Sequence, residues 1–194
     1  MATKKTAQAF IELRADDPES VSALGVAQAY LEAGRALASL RRLRLFELSG
    51  ELPARVALET LLHRSTQFYN PSKERCAVRV AESEGVPFEP DEQVVLVFER
   101  GGERRAAEER WWKHETGTRI EVREGVVWAL RFASAAGAAE ATASLATATD
   151  RRHGLLCNPQ FQESRRATPA ELPLPWMLAA RVRRGGRGRS GGAA

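Results

Sequence analysis

The stretch from residue 92 to residue 162 constrains the fold most, because it divides into six pieces that alternate between the hydrophobic periods of strands and helices. It begins with an apolar run rich in β-branched residues and ends at the Asn158-Pro159 breaker. The first two pieces predict a strand at residues 93–98 and a helix at 103–114. The next two predict the strands of a hairpin at 119–123 and 126–132, and the last two predict an Ala-rich helix at 134–148 and a strand at 154–157. This β-α-β-β-α-β order predicts a ferredoxin-like module with both helices on one face of a four-stranded antiparallel sheet.

The residues before this stretch predict a helical hairpin and one strand. A short helix over residues 7–15 ends near Pro18, and a long helix runs from residue 21 to about residue 48, because no proline interrupts it. A second helix is predicted at 53–66 and a strand at 75–80. Small residues on the long helix indicate a closely packed helical neighbour, at Gly25, Ala29, Ala33 and Ala36. The predicted fold class is therefore α+β, an N-terminal helical hairpin followed by the ferredoxin-like module.

Composition divides the chain into four predicted parts. The helical hairpin with its strand takes residues 1–82, and an acidic linker with two prolines takes residues 83–92. The ferredoxin-like module with a C-terminal packing segment takes residues 93–180, and a disordered Arg/Gly tail takes residues 181–194. The tail cannot bury enough apolar surface to offset the entropy of ordering it. Because the tail is rich in arginine and has no acidic residue, the net charge of +4 belongs to it.

A faint internal repeat involves two Asn-Pro turns. Leu61-Leu62 precede Asn70-Pro71, as Leu155-Leu156 precede Asn158-Pro159, and each turn follows a predicted helix. The pattern indicates two related halves.

Residues 121–128 read EVREGVVW and residues 155–163 read LLCNPQFQE, with an Ala-rich helix predicted between them. Residues 118–163 thus resemble the small subunit of phosphoribosylformylglycinamidine synthase, a family that shows a V-R-x-G-K hairpin, a helix and a closing L-L-x-N-P-x-I-E stretch. The chain departs from the family at the K-P-G-V-x-D-P loop, which is ERGGE at residues 99–103, and at the lysine after the hairpin glycine, which is Val126. The resemblance implies a non-catalytic subunit that holds a glutaminase and a synthetase together in purine synthesis.

The candidate catalytic and metal-binding residues favour structural roles. His63, His114 and His153 lie in different predicted elements, and the spacing of His153 and Cys157 does not bring two ligands to one metal. Cys76 and Cys157 show neither a disulfide framework nor a nucleophile signature. We therefore predict no catalytic residue, no metal and no cofactor. Gly101-Gly102 is interpreted as a plain turn, because it lacks the spacing of a phosphate-binding loop.

No window reaches the roughly 18 consecutive apolar residues that a membrane span requires, and the N-terminus lacks the apolar run of a signal peptide. The protein is therefore predicted to be cytoplasmic, without a membrane partner.

Two functions follow from these patterns. The first is an assembly subunit that forms a homodimer or larger oligomer, since an open sheet edge is an association site. Its interface candidates are Trp111, Trp112, Asn158 and Pro159. The alternative is a nucleic-acid-binding protein that uses the sheet surface and the arginines of the tail, at Arg181, Arg183, Arg184, Arg187 and Arg189. Against this alternative, the sheet lacks the aromatic RNA-binding signature. An enzyme is the least favoured class.

Overall fold

The computed structural model describes residues 5–100, 104–150 and 152–177. Over these residues the chain is an α+β protein with four helices and one six-stranded antiparallel sheet. The strands are β1 (Lys5–Leu13), β2 (Leu37–Gly50), β3 (Glu74–Arg79), β4 (Gln93–Glu99), β5 (Ile120–Phe132) and β6 (Gln162–Ala167). The helices are α1 (Pro18–Tyr30), α2 (Arg55–Arg64), α3 (Ala106–Thr116) and α4 (Ala138–Ala146), and 3₁₀ turns lie at Glu32–Gly34 and Pro169–Glu171.

The strand order β3-β1-β2-β5-β4-β6 is symmetric about its centre. The two longest strands, β2 and β5, pair there from Leu37 opposite Phe132 to Gly50 opposite Ile120. β1 and then β3 lie outside β2, and β4 and then β6 lie outside β5. Each side of the central pair thus carries the first and then the third strand of one half of the chain. The chain therefore consists of two β-α-β-α-β halves that share one continuous sheet.

The two Asn-Pro turns share one hydrogen-bond pattern, although Leu61-Leu62 lie in α2 and Leu155-Leu156 lie in the loop after α4. Each lies just before the third strand of its half, and the Asn side chain accepts the backbone N–H of the second residue after it, from Ser72 to Asn70 at 3.0 Å and from Gln160 to Asn158 at 3.0 Å. Each Asn N–H also donates to the first side chain of the following strand, Glu74 or Gln162. Side-chain oxygens that bond nearby backbone groups in this way stabilise turns.

All four helices lie on one face of the sheet. Because side chains alternate along a strand, the even-numbered β2 residues Leu40, Phe46 and Leu48 share this face. Phe46 and Leu48 pack in one cluster with α2 and α3, and Leu40 packs in a second cluster with α1 and α4. Each cluster therefore combines a helix from one half with a helix from the other.

The opposite face of the sheet is covered by irregular chain instead of helices. Leu43 and Leu45 face this side, where they pack with Phe88 from the connection between the halves and with Trp176 from the C-terminal segment. The connection and the C-terminal segment thus form a second layer, which buries the face that the helices leave open.

The predicted N-terminal helical hairpin is wrong. Residues 5–13 form β1, and the predicted long helix is α1, a 3₁₀ turn and then β2. The error has a physical cause: residues 37–50 are rich in Leu and Arg, which favour helices locally, but pairing with β1 and β5 buries them as the centre of a sheet. The small residues Gly25 and Ala29 are exposed and do not face a helix.

The predicted ferredoxin-like module is also wrong, because the sheet has six strands in a different order. The predicted hairpin at 119–132 is the single strand β5. Gly125 lies inside this strand, where a Cβ atom would come within 2.8 Å of Leu96 Cδ1, so the glycine permits close packing and does not mark a turn. The predicted last strand at 154–157 makes only an isolated bridge through Cys157 to Thr147, and the true last strand is β6.

Some predictions fall outside the described residues. They are the Gly101-Gly102 turn and the disordered tail with Arg181, Arg183, Arg184, Arg187 and Arg189. Within the three described ranges, no helix has the length and apolar character that crossing a membrane would require.

Candidate functional site

The four predicted interface residues lie in two separate regions. Trp112 is fully buried in the cluster under α2 and α3, and its indole N–H donates to Thr118 Oγ1 at 3.1 Å. Trp111 is half-buried, and its ring lies 6.0 Å from that of Phe68. Both tryptophans therefore stabilise the helix layer, and only Trp111 has part of its surface exposed.

Asn158 and Pro159 lie in the other half, at the turn before β6. Asn158 is exposed and Pro159 is half-buried, and the Pro159 carbonyl accepts a hydrogen bond from the Arg100 guanidinium. The turn lines a cavity of about 540 Å³ with Asp150, Leu155 and flanking residues. The structure thus does not bring this turn together with the tryptophans.

The first half has a cavity beside Tyr69, the residue that precedes the Asn70-Pro71 turn, although the turn itself does not line it. It measures about 470 Å³ and lies between α2 and the edge strand β3, where it is lined by Val56, Glu59, Thr60, His63, Tyr69, Cys76 and Val78. As at the other turn, an arginine side chain donates to the proline carbonyl, here from Arg14 Nε at 3.3 Å. The sequence indicated the paired turns but not the cavities, because these depend on how helices and strands pack.

The chemistry of the first cavity is that of a half-buried thiol beside a His-Tyr pair. His63 Nδ1 and the Tyr69 hydroxyl lie 3.0 Å apart. Burial raises the pKa of Tyr69, and burial together with the nearby carboxylates of Glu59 and Glu74 raises the pKa of the Cys76 thiol to about 12. Cys76 is therefore a neutral thiol at physiological pH and lacks the thiolate that a nucleophile needs.

Cys157, in the second half, is also buried. Burial raises the pKa of its thiol, although hydrogen bonds with Thr147 and Ser164 lower it in part. His153 points elsewhere, with its Nδ1 atom 3.0 Å from the carboxylate of Asp150. In the described ranges, no three His, Cys, Asp or Glu side chains form a group that could hold a metal ion.

An ion-pair network crosses the centre of the helix face and joins the two halves. Arg44 in β2 contacts Glu74 at 3.0 Å and Glu124 in β5 at 3.5 Å, and Arg105 contacts Glu124 at 3.1 Å. Arg44 also donates to the carbonyl of Phe68 at 2.9 Å. None of these residues was predicted to matter, because the network exists only when β2 and β5 are neighbours.

A second polar cluster holds the C-terminal segment on the opposite face. The buried Glu47 carboxylate accepts the backbone N–H groups of Trp176 and Met177. The Gln8 side chain donates to Glu47 at 3.0 Å and to the Pro173 carbonyl at 2.9 Å. Arg79 donates to the Leu172 carbonyl at 2.8 Å. The sheet surface that the alternative function assigned to bases is therefore covered by this segment.

Comparisons with protein-family models, with curated proteins and with solved structures find no match to this chain.

Proposed function

We propose that the chain is a non-catalytic assembly subunit of a multi-subunit enzyme, and that the enzyme is phosphoribosylformylglycinamidine synthase. The observation that carries this proposal is the repetition of one β-α-β-α-β unit in the two halves. The segment that resembles the synthase small subunit contains β5, α4 and the turn before β6, so it makes up most of the second unit. The first unit repeats the same elements in the same order.

The repetition gives the protein two equivalent ends with different surfaces. Each end has an edge strand and an Asn-Pro turn, and each half has a cavity of its own. The first cavity presents His63, Tyr69 and Cys76, and the second presents Asp150 and Asn158. Two ends with different surface chemistry suit a subunit that holds two different partners at a fixed separation, which is the role that the resemblance implies for a glutaminase and a synthetase.

The two thiols support a non-catalytic role. Both cysteines have raised pKa values, so neither supplies a thiolate at neutral pH. His63 is engaged with Tyr69, and His153 with Asp150. These four side chains thus serve local structure, and the proposal leaves the chemistry to the partners.

The test is co-purification from the native host, with matched changes at the two turns. We expect the tagged protein to retain both the glutaminase and the synthetase subunits. Replacing Asn158-Pro159 by Ala-Ala removes the side-chain acceptor that orders one end and should release one partner. Replacing Asn70-Pro71 by Ala-Ala changes the same turn at the other end and should release the other.

Deletion of the gene gives an independent readout, and we expect the deleted strain to require purines. Normal growth without purines, together with recovery of neither subunit, would contradict the proposal. Loss of both partners from one turn variant and of neither from the other would instead show that a single end does the binding.

A further inference from the structure

The two helix clusters differ at three equivalent positions. In the first cluster three aromatic rings fill the space above β2: Phe68 lies 5.3 Å from Phe46 and 6.0 Å from Trp111. Trp111 is the sixth residue of α3, and Phe68 stands two residues before Asn70. Phe46 is fully buried beneath them.

In the second cluster two of the three equivalent positions carry smaller side chains. Trp128 of β5 takes the place of Phe46, since it pairs with Val95 of β4 as Phe46 pairs with Ala9 of β1. Leu156, two residues before Asn158, takes the place of Phe68. Ala23, the sixth residue of α1, takes the place of Trp111. The missing indole leaves a groove of about 430 Å³ above Trp128, lined by Pro18, Glu19, Ser22, Ala23, Trp128, Leu155 and Leu156.

The flank of α1 beside this groove is uncharged and exposed. Ser22, Val26 and Tyr30 follow one another at intervals of four residues and so form one row along the helix. Val26 is 41% exposed, and Tyr30, at 77%, is the most exposed large hydrophobic residue of the described chain. The one charged residue of α1 is Glu19, which Arg42 of the same chain contacts at 3.0 Å.

We propose that this flank of α1 is a self-association surface, on which two copies pack their α1 helices antiparallel and each inserts Tyr30 into the groove above Trp128 of the other. We call the inserted Tyr30 side chain the knob. With a rise of 1.5 Å per residue, this knob and the groove at Ser22 lie about 12 Å apart along the helix. A two-fold axis near Val26 brings both knobs to both grooves at once, as an isologous interface requires.

A second copy fits this surface for two reasons. The knob and the groove lie in the same row of one helix, so the surface is complementary to itself. The row also contains no charged residue, whereas 28% of the residues of the whole protein are charged. Glu19, which lines the groove, is already paired with Arg42 of its own chain, so the contact brings no uncompensated charge against the second copy. The contact area of one helix flank is small, so a dimer of micromolar affinity is expected. This inference does not rest on the proposed assembly function.

Sedimentation equilibrium of the purified protein over micromolar concentrations tests the proposal. We expect a dimer for the unchanged protein and a loss of affinity of at least about tenfold for Tyr30→Ala, which removes the knob. Ala23→Trp fills the groove from within, as Trp111 does in the other half, and should have the same effect. The matched control is Phe161→Ala, because Phe161 is aromatic like Tyr30, is 50% exposed and lies outside this surface.

Mixing the two variants gives the decisive result. A pair of one Tyr30→Ala chain and one Ala23→Trp chain keeps one intact knob-and-groove contact, so mixed dimers should form where neither variant dimerises alone. Circular dichroism and thermal melting confirm that each variant folds. A monomeric unchanged protein, an undiminished dimer in both variants, or a mixture that stays monomeric would each overturn the proposal.

Discussion

The carboxylate of Glu47, buried in the second strand of the sheet, accepts the backbone N–H of Met177 at 2.9 Å from a segment 130 positions later in the chain. The same carboxylate accepts the N–H of Trp176, whose side chain packs on Leu43 and Leu45. This acidic side chain thus anchors the C-terminal segment, which covers one sheet face together with the connection between the halves.

Replacing Glu47 by alanine should destabilise the protein by about 3 kcal/mol, because two buried backbone N–H groups lose their acceptor. Urea unfolding measures the change, and near-ultraviolet circular dichroism reports the surroundings of Trp176. The matched control is Glu51→Ala at the exposed end of β2, which should change the free energy of unfolding by less than about 0.5 kcal/mol. Equal effects of the two substitutions would show that Glu47 does not hold the segment.

The adjacent tryptophans should differ sharply in their contribution to stability. Trp112→Ala empties a fully buried site and removes the donor to Thr118 Oγ1, so a loss of about 3–5 kcal/mol is expected. Trp111→Ala should cost less, because Trp111 is half-buried and its main partner is Phe68. Denaturant unfolding of both variants gives the comparison, and a larger loss for Trp111 would contradict it.

The Cys76 thiol should make stability depend on pH in alkaline solution. Its folded-state pKa of about 12 lies above the ordinary value of 9.0, so between these values the unfolded chain releases a proton that the folded chain keeps. Its contribution is therefore complete below pH 9 and is lost as the pH rises toward 12, by up to about 1.4 kcal/mol per pH unit. Cys76→Ala should show a shallower decline in denaturant unfolding than the unchanged protein, and parallel declines would refute the assignment.

Two glycines should respond in opposite directions to the same methyl group. Gly25 lies in α1 with open space around its Cα, so Gly25→Ala should stabilise the protein by about 0.5–1 kcal/mol through helix propensity. At Gly34 a Cβ atom would lie 2.2 Å from the Ala27 carbonyl oxygen, so Gly34→Ala should destabilise it. Thermal melting of the two variants compares them directly, and a stabilised Gly34→Ala protein would contradict the close packing of the 3₁₀ turn on α1.

The sequence predicts elements well where local preference and tertiary environment agree. The apolar run at 93–98 coincides with β4, and the helix predicted at 103–114 overlaps α3, which ends at Gly117 in the left-handed conformation. The prediction fails at β2, where helix-forming residues are held in the centre of a sheet. It fails again at β6, whose sequence Gln-Glu-Ser-Arg-Arg-Ala has no apolar alternation, because an edge strand buries little side-chain surface.

The candidate site shows the same division. The paired turns at Asn70 and Asn158 can be seen in the sequence, because an Asn-Pro dipeptide favours a turn wherever it stands. The groove above Trp128 cannot be seen in the sequence. It exists because Ala23 is small where the equivalent residue of the other half is Trp111, and the two positions are recognised as equivalent only in the folded structure.

The central pairing of β2 with β5 has a consequence for synthesis of the chain. When the first half has left the ribosome, β2 already has β1 on one side, but its other edge has no partner until residue 132 has been made. At ordinary translation rates this delay lasts on the order of 10 s. Throughout that interval a nascent chain presents a 14-residue strand with apolar side chains on both faces, which is the kind of surface that chaperones bind.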